Sequence, residues 1–208
     1  MQSENHVMDA IYNPPYDSPI EDIFAYNYIK YANEEGSLEA QVSVQTLCGR
    51  FILDFVLTTT DGSRIAVECD GKEFHEFSRD EWRDAMILGE RHVDAIYRIP
   101  GTDLVHNIAS VLYVMSVLDP LLFSNRGITN LSALAPLALR KAQIEHDMSI
   151  IHFHQNDNDE LVKLRMYVRR IRIPQGKRDF WQTAYQYALS VGGGSLNEVM
   201  HSYRRSDL

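Results

Sequence analysis

The sequence predicts an α/β fold in which helices flank a mixed β-sheet. Three observations lead to this prediction: strand-like segments follow one another over residues 38–70, a helix-like segment separates them from a fourth strand over 93–99, and further helical segments precede and follow this group. A helix between two strands lets the chain return to the same edge of the sheet. The third and fourth strands are therefore expected to run parallel.

The first helix is expected to begin after Ser18. Ser18 suits the N-cap, Pro19 the first helical position, and Glu21 the third position of a capping box. Apolar residues then recur at helical spacing, namely Ile20, Ile23, Phe24, Tyr28 and Tyr31. Residues 1–17 are interpreted as an N-terminal arm.

A meander of three strands is expected next. Apolar and polar residues alternate in the first strand, and the other two are apolar runs bounded by turns. The first strand alternates through Leu38, Ala40, Val42 and Val44, the second covers residues 50–58, and the third covers 64–70. The loop between the last two strands decides which residues lie opposite each other. A two-residue turn would put Asp54 opposite Cys69, whereas a three-residue loop over 60–62 would put it opposite Glu68. Gly62 favours the three-residue loop, whose last position is left-handed.

The remaining elements are expected in the order helix, strand, helix. A helix over 78–91 carries Ser78 and Glu81 as a second capping box, and a helix over 102–118 follows the fourth strand. The expected buried face of that helix carries Leu104, Val105, Ile108, Val111, Leu112 and Met115.

Beyond residue 125 the patterns favour a mainly helical region over 126–208 that binds substrate or partner. They indicate a helix over 132–145, a strand over 148–154 and helices over 180–190 and 196–203, while 160–173 fits strand or helix. The part over 18–125 is taken as the principal domain.

The composition is typical of a globular protein. Of 208 residues, 45% are hydrophobic and 24% are charged, and the two cysteines are too few for a disulfide framework or a zinc site. No apolar run approaches the ~18 residues that a membrane span needs, and the polar start is unlike a signal peptide. We expect a cytoplasmic protein without a membrane partner.

Charge is distributed unevenly along the chain. The net charge of -9 argues against broad non-specific binding to nucleic acid, but residues 1–125 hold 8 basic and 21 acidic residues whereas 126–208 hold 12 and 8. A basic stretch in the second part predicts contacts with phosphate groups through Lys163, Arg165, Arg169, Arg170 and Arg172. The alternative is a solvated face, or a surface that pairs with the acidic first part.

Two carboxylates interrupt apolar strands. Asp54 lies within the run from Phe51 to Leu57, and Glu68 follows Val67. A charge inside a central strand costs several kcal/mol unless it is paired or bound to a metal. A divalent cation would relieve both the burial of these two acids and their mutual repulsion, which predicts a metal site at the pair.

An ordered set of residues around this pair resembles the PD-(D/E)XK nuclease superfamily. The set comprises Asp54, the segment Glu68-Cys69-Asp70-Gly71, His75, Asp80 and Arg83, with Glu21 on the first helix and Arg98 ending a strand. It is most similar to the branch of small endonucleases that resemble the very-short-patch-repair endonuclease, over about residues 18–118. The resemblance implies a restriction-endonuclease-like fold. Asp70 stands where the superfamily has lysine.

The resemblance implies an endonuclease that hydrolyses DNA phosphodiester bonds. Mg²⁺ or Mn²⁺ would be held by Asp54, Glu68 and the main-chain carbonyl of Cys69. The further residues implied at the site are Glu21, Asp70, Lys72, His75 and, as a phosphate contact, Arg83. RNA as substrate is not separated from DNA. The alternative is an inactive nuclease-fold module that binds nucleic acid or a protein partner, and the C-terminal region could also form a homodimer.

Overall fold

The structure, a computed structural model, describes residues 13–71, 77–144, 150–154, 163–173 and 176–206. The strands are β1 (Ser37–Thr46), β2 (Gly49–Thr58), β3 (Arg64–Asp70), β4 (Ala95–Pro100), β5 (Ile150–His154) and β6 (Lys163–Arg170). The helices are α1 (Pro19–Tyr28), α2 (Phe77–Gly89), α3 (Gly101–His106), α4 (Ile108–Leu118), α5 (Asn125–Leu134), α6 (Leu137–Lys141), α7 (Phe180–Ser190) and α8 (Leu196–Ser206), and a 3-10 turn covers Pro120–Leu122.

The strands form one mixed six-stranded sheet in the order β1-β2-β3-β4-β6-β5. β3 and β4 are parallel, as predicted from the helix between them, and the other neighbouring pairs are antiparallel. The predicted α/β class is therefore confirmed, and the start of α1 is as expected, because the Ser18 side chain accepts from the main-chain N–H of Glu21.

The C-terminal region contributes two strands to this sheet in addition to its helices. The segment over 160–173, which fitted either strand or helix, forms β6, and β6 pairs antiparallel with β4. The sheet therefore continues across residue 125, where the sequence suggested a division. The helix expected over 132–145 is instead two helices, α5 and α6, because Pro136 separates them.

Helices cover both faces of the sheet and enclose two cores. One core lies between the sheet and the helices that include α1, α4 and α5, and it contains Phe24, Phe55, Tyr97, Leu112 and Met115. The other lies beneath α2, α7 and α8 and contains Val56, Trp82, Met86, Trp181 and Val199. The site described below lies where α1 approaches from one face and α2 from the other.

At Gln41 in β1 and Asp54 in β2, the apolar side chains of the hairpin switch from one face of the sheet to the other. Leu38 and Ala40 pack in the first core, whereas Val42 and Val44 pack in the second. Pairing runs from Ala40–Phe55 to Val42–Leu53 without a Gln41–Asp54 pair, and Gln41 has φ 53°. The alternation in the sequence predicted the strand correctly, but its apolar residues are divided between two faces, because the backbone at Gln41 is left-handed.

Two helix predictions are also corrected. The helix expected over 102–118 is broken at Asn107, which has φ -129° and ψ 20°, and Val105, expected to be buried, is 50% exposed. α2 begins at Phe77, so Ser78 lies inside the helix and does not cap it, and Glu81 pairs with Arg169. Within the described ranges, every helix is too short or too polar to cross a membrane.

Candidate functional site

The loop between β2 and β3 has the three-residue form predicted from the sequence. The main-chain N–H of Thr59 donates to the carbonyl of Ser63 at 2.9 Å, which closes residues 60–62 into the loop. Gly62 at its last position has φ 84°, the left-handed conformation that favours glycine. The resulting register pairs Thr58 with Arg64 and Phe55 with Val67, so Asp54 and Glu68 occupy the next opposed positions.

Asp54 does not continue the ladder between the two strands. Regular pairing of β2 with β3 ends at Phe55–Val67, and the Asp54 carboxylate accepts a 2.8 Å hydrogen bond from the main-chain N–H of Cys69. Asp54 thus lies at the point where β2 leaves β3. Burial raises the pKa of Asp54. The hydrogen bond from the Cys69 N–H and the charges of Arg83 and Arg98 lower this pKa but offset only part of the effect of burial.

Glu21 approaches Asp54 from α1. Its side chain accepts hydrogen bonds from the Ser18 hydroxyl at 2.6 Å and from the Gln41 amide at 3.0 Å. Burial raises the pKa of Glu21, and the negative charge of Asp54 adds to that effect. Glu21 therefore contacts the N-cap side chain of α1 and also joins the acidic site, and Gln41 binds it from the point where the hairpin changes its buried face.

Glu68 is buried and paired with Arg83 of α2. The guanidinium binds both carboxylate oxygens, with Nη1–Oε2 at 2.9 Å and Nη2–Oε1 at 3.2 Å. The pKa of Glu68 is raised to about 8, chiefly by burial, and the positive charges of Arg83 and Arg98 offset only part of that effect. Arg83, predicted as a phosphate contact, is thus held inside the site by Glu68.

Arg98 connects the end of β3 to α2. Its Nη1 lies 3.2 Å from Asp70, and its Nη2 and Nε lie 2.7 and 3.0 Å from the two oxygens of Asp84. Burial alone would raise the pKa of Asp84, but the charges of Arg98 and Arg169 lower it below its ordinary value. Asp70, which stands where the superfamily has lysine, is therefore an ion-pair partner of Arg98.

Arg169 of β6 lies in the interior of the protein. It is 8% exposed, and its Nη1 donates to Asp84 at 2.6 Å while its Nη2 lies 3.0 Å from Glu81. The predicted phosphate contact at this residue is corrected, because both ends of the guanidinium are held by α2. The basic second part of the chain here pairs with the acidic first part.

The other basic residues differ in their surroundings. Arg170 binds both oxygens of Asp119 at 2.7 and 2.9 Å, and its charge is thereby neutralised. Arg172 is exposed and, with Arg170, lines a cavity of about 560 Å³ beside the 60–62 loop. Arg165 is half-buried. Lys163 begins β6, but its side chain lies outside what the structure describes.

Acidic side chains outnumber basic ones among the described residues of this site. The carboxyl groups of Glu21, Asp54, Glu68, Asp70 and Asp84 face the guanidiniums of Arg83, Arg98 and Arg169. Carboxylate oxygens are the ligands that Mg²⁺ and Mn²⁺ prefer. Within the described ranges, no three Asp, Glu, His or Cys side chains are already grouped as metal ligands. Because Arg83 already contacts both oxygens of Glu68, a cation at Glu68 would require Arg83 to move.

No protein-family model, curated protein or solved structure matches the chain.

Two of the predicted site residues, Lys72 and His75, lie outside the described residues. Among those that are described, Glu21, Asp54, Glu68 and Asp70 are brought together around Cys69, whose thiol pKa is raised by burial and by all four of these acids. Gln41 and Asp84 were missed. In the sequence Asp84 looks like an ordinary polar residue of a helix. It lies four residues after Asp80, so the two acids share one face of α2, and this spacing could have indicated that Asp84 belongs to the site.

Proposed function

We propose that the protein is a metal-dependent endonuclease that hydrolyses DNA phosphodiester bonds, with the restriction-endonuclease-like arrangement that the resemblance implies. The observation that carries this proposal is the register of β2 and β3. It brings Asp54 level with Glu68 where the two strands part. The loop at Gly62 sets this register, which therefore does not depend on the resemblance.

In this proposal Mg²⁺ or Mn²⁺ is held by Asp54, Glu68 and the main-chain carbonyl of Cys69. When bound, the cation supplies a nucleophilic water and neutralises charge that develops on the phosphate. Glu21, which accepts hydrogen bonds from Ser18 and Gln41, would orient water near the cation.

Proton transfer and phosphate binding are assigned to other residues of the chain. His75, whose pKa would ordinarily lie near neutrality, exchanges a proton with the attacking water or the leaving oxygen, and Lys72 is a point charge for the phosphate. Arg98 and Asp84 act through Asp70 and are positioning residues, because their own charges are satisfied inside the protein.

The second candidate is a nuclease-fold module that binds nucleic acid or a protein partner without cutting. The ion pair between Arg83 and Glu68 favours it, because that pair satisfies a carboxylate that a metal would need. The pairing of Arg169 and Arg170 with acids leaves less basic surface than the basic stretch suggested, which favours a protein partner over nucleic acid for such a module.

Nicking of supercoiled plasmid in Mg²⁺ or Mn²⁺ tests the two candidates. The wild-type chain should convert supercoiled to open-circular or linear DNA, whereas Asp54→Asn and Glu68→Gln should lose at least about a hundredfold in rate, because one cation ligand is removed. Glu39→Gln is the matched control, since it removes an exposed carboxylate from neighbouring β1.

The outcomes separate the candidates. Cleavage that stops with Asp54→Asn and Glu68→Gln, survives Glu39→Gln and is abolished by EDTA supports the endonuclease. Plasmid binding without cleavage supports the binding module. Cleavage that survives both site substitutions would end the proposed mechanism.

A further inference from the structure

Arg83 occupies the position beside Glu68 that a divalent cation would take. Its guanidinium contacts both oxygens of the Glu68 carboxylate, at 2.9 and 3.2 Å. Only 4% of the Glu68 side chain is exposed, so few directions are open to an additional cation. Two positive groups bound to one buried carboxylate repel each other strongly in such surroundings. Arg83 and the cation are therefore alternatives at this carboxylate.

The outer side of Arg83 already has a second set of contacts. Its Nη2 donates to the carbonyl of Ile52, and its Cζ lies 5.8 Å from the centre of the Phe51 ring. Ile52 is 46% exposed and the Arg83 side chain is 19% exposed, so the guanidinium stands between the buried acid and the protein surface. A rotation of the side chain about its own bonds would bring it toward solvent without unfolding α2.

We propose that Arg83 exchanges between two partners: it pairs with Glu68 while the site lacks a cation, and it moves to the phosphate of the substrate once a divalent cation takes its place. A guanidinium binds a phosphate in the same two-pronged manner as a carboxylate, so the exchange conserves its hydrogen bonds. This inference rests on the proposed function, and it gives Arg83 a role that depends on the cation.

Arginine side-chain NMR of the wild-type protein tests the exchange directly. In the metal-free protein, in the alkaline buffer that keeps Glu68 ionised, the paired Arg83 guanidinium should give separate Nη signals, because a two-pronged ion pair hinders its rotation. Addition of Mg²⁺ should shift the Arg83 Nε signal and average its Nη signals. Arg98 is the internal control, since Asp84 holds it through Nε and Nη2 and it should remain hindered.

The NMR result distinguishes failure of this inference from failure of the proposed function. If the amide signals of Asp54, Glu68 and Cys69 respond to Mg²⁺ while Arg83 stays hindered, the exchange is overturned and the metal site stands. If none of these amides responds to Mg²⁺ or Mn²⁺, both the metal site and the exchange are overturned.

A binding measurement supplies an independent readout. In calorimetric titrations in alkaline buffer, Arg83→Met should bind Mn²⁺ about three- to tenfold more tightly than wild type, because the competing guanidinium is gone. Arg79→Met removes an exposed arginine from the same helix and should bind Mn²⁺ as wild type does. Equal or weaker binding by Arg83→Met would contradict the exchange. Should that variant fail to fold, the NMR titration of the wild type still decides.

Discussion

Asp84 of α2 and Arg169 of β6 form a buried ion pair, with Nη1 of the arginine 2.6 Å from a carboxylate oxygen. The Asp84 side chain is 1% exposed, and its second oxygen binds Arg98. This pair joins β6 to α2, the helix that carries Arg83. It also removes Arg169 from the residues of β6 that could contact a phosphate group, because both ends of its guanidinium are paired inside the protein.

Asp84→Asn should destabilise the protein by about 3–5 kcal/mol, because two buried guanidiniums lose their shared charge partner. Urea denaturation followed by circular dichroism measures the change. Glu81→Gln is the matched control: it removes a carboxylate from the same helix that also contacts Arg169 but is 25% exposed, and it should cost no more than about 1 kcal/mol. A loss of similar size in the two variants would contradict the central place of Asp84.

The raised pKa of Glu68 predicts a pH-dependent stability of the metal-free protein. The pKa is about 8 in the folded state, chiefly through burial, against an ordinary value of 4.5. Between these two values the folded chain holds a proton that the unfolded chain releases, so the contribution of Glu68 to stability falls as pH rises from 4.5 to 8.

Denaturation in EDTA across this pH range measures the effect against Glu68→Gln, which cannot ionise. The wild type should lose stability relative to the variant as pH increases. A difference between the two proteins that stays constant, or that grows in favour of the wild type with increasing pH, would show that Glu68 is ionised when the protein is folded.

Much of the site's frame could be predicted from local sequence. Ser18, Pro19 and Glu21 start α1 through contacts within four residues, and Gly62 sets the β2–β3 register through its own backbone conformation. Both features depend on residues that are close in the chain, so a sequence pattern is enough to predict them. The pairing of Asp84 with Arg169 could not be predicted in this way, because the two residues are 85 positions apart and only the folded sheet brings them together.

Gln41 illustrates a different limit of the sequence. Its φ of 53° turns the hairpin over in the middle of a strand whose alternation looks regular. Glutamine has no special preference for this conformation, unlike glycine or asparagine. The strand's apolar residues gave no sign that Leu38 and Val44 belong to different cores. The change of face places Leu38 in the core that includes α1 and Val44 in the core beneath α2.

Gln41→Val should destabilise the protein by about 1–2 kcal/mol or more, because a β-branched residue strongly disfavours positive φ. It also removes the amide that binds Glu21, so cleavage should fall. Ser43→Val on the exposed side of the same strand is the control and should change stability by less than about 0.5 kcal/mol. Equal effects of the two substitutions in urea denaturation would argue against the strained turn.

Gly62→Val tests whether the loop sets the register of the site. The positive φ of 84° should cost a β-branched side chain about 1–2 kcal/mol, although the space around Gly62 is open. Thr60→Val, in the same exposed loop, is the control and should be near neutral. If Gly62→Val matches Thr60→Val in both urea denaturation and plasmid nicking, the loop does not determine how Asp54 meets Glu68.

The proposed function requires Asp54 and Glu68 to hold a divalent cation jointly. Crystals grown with Mn²⁺ and measured at the manganese absorption edge locate such an ion directly. We expect an anomalous peak bonded to oxygens of Asp54, Glu68 and the Cys69 carbonyl. In crystals grown with Mg²⁺ we expect six oxygens at about 2.0–2.1 Å from the ion. An ordered site without a peak, with Arg83 still bound to Glu68 at millimolar Mn²⁺, would contradict the proposed function.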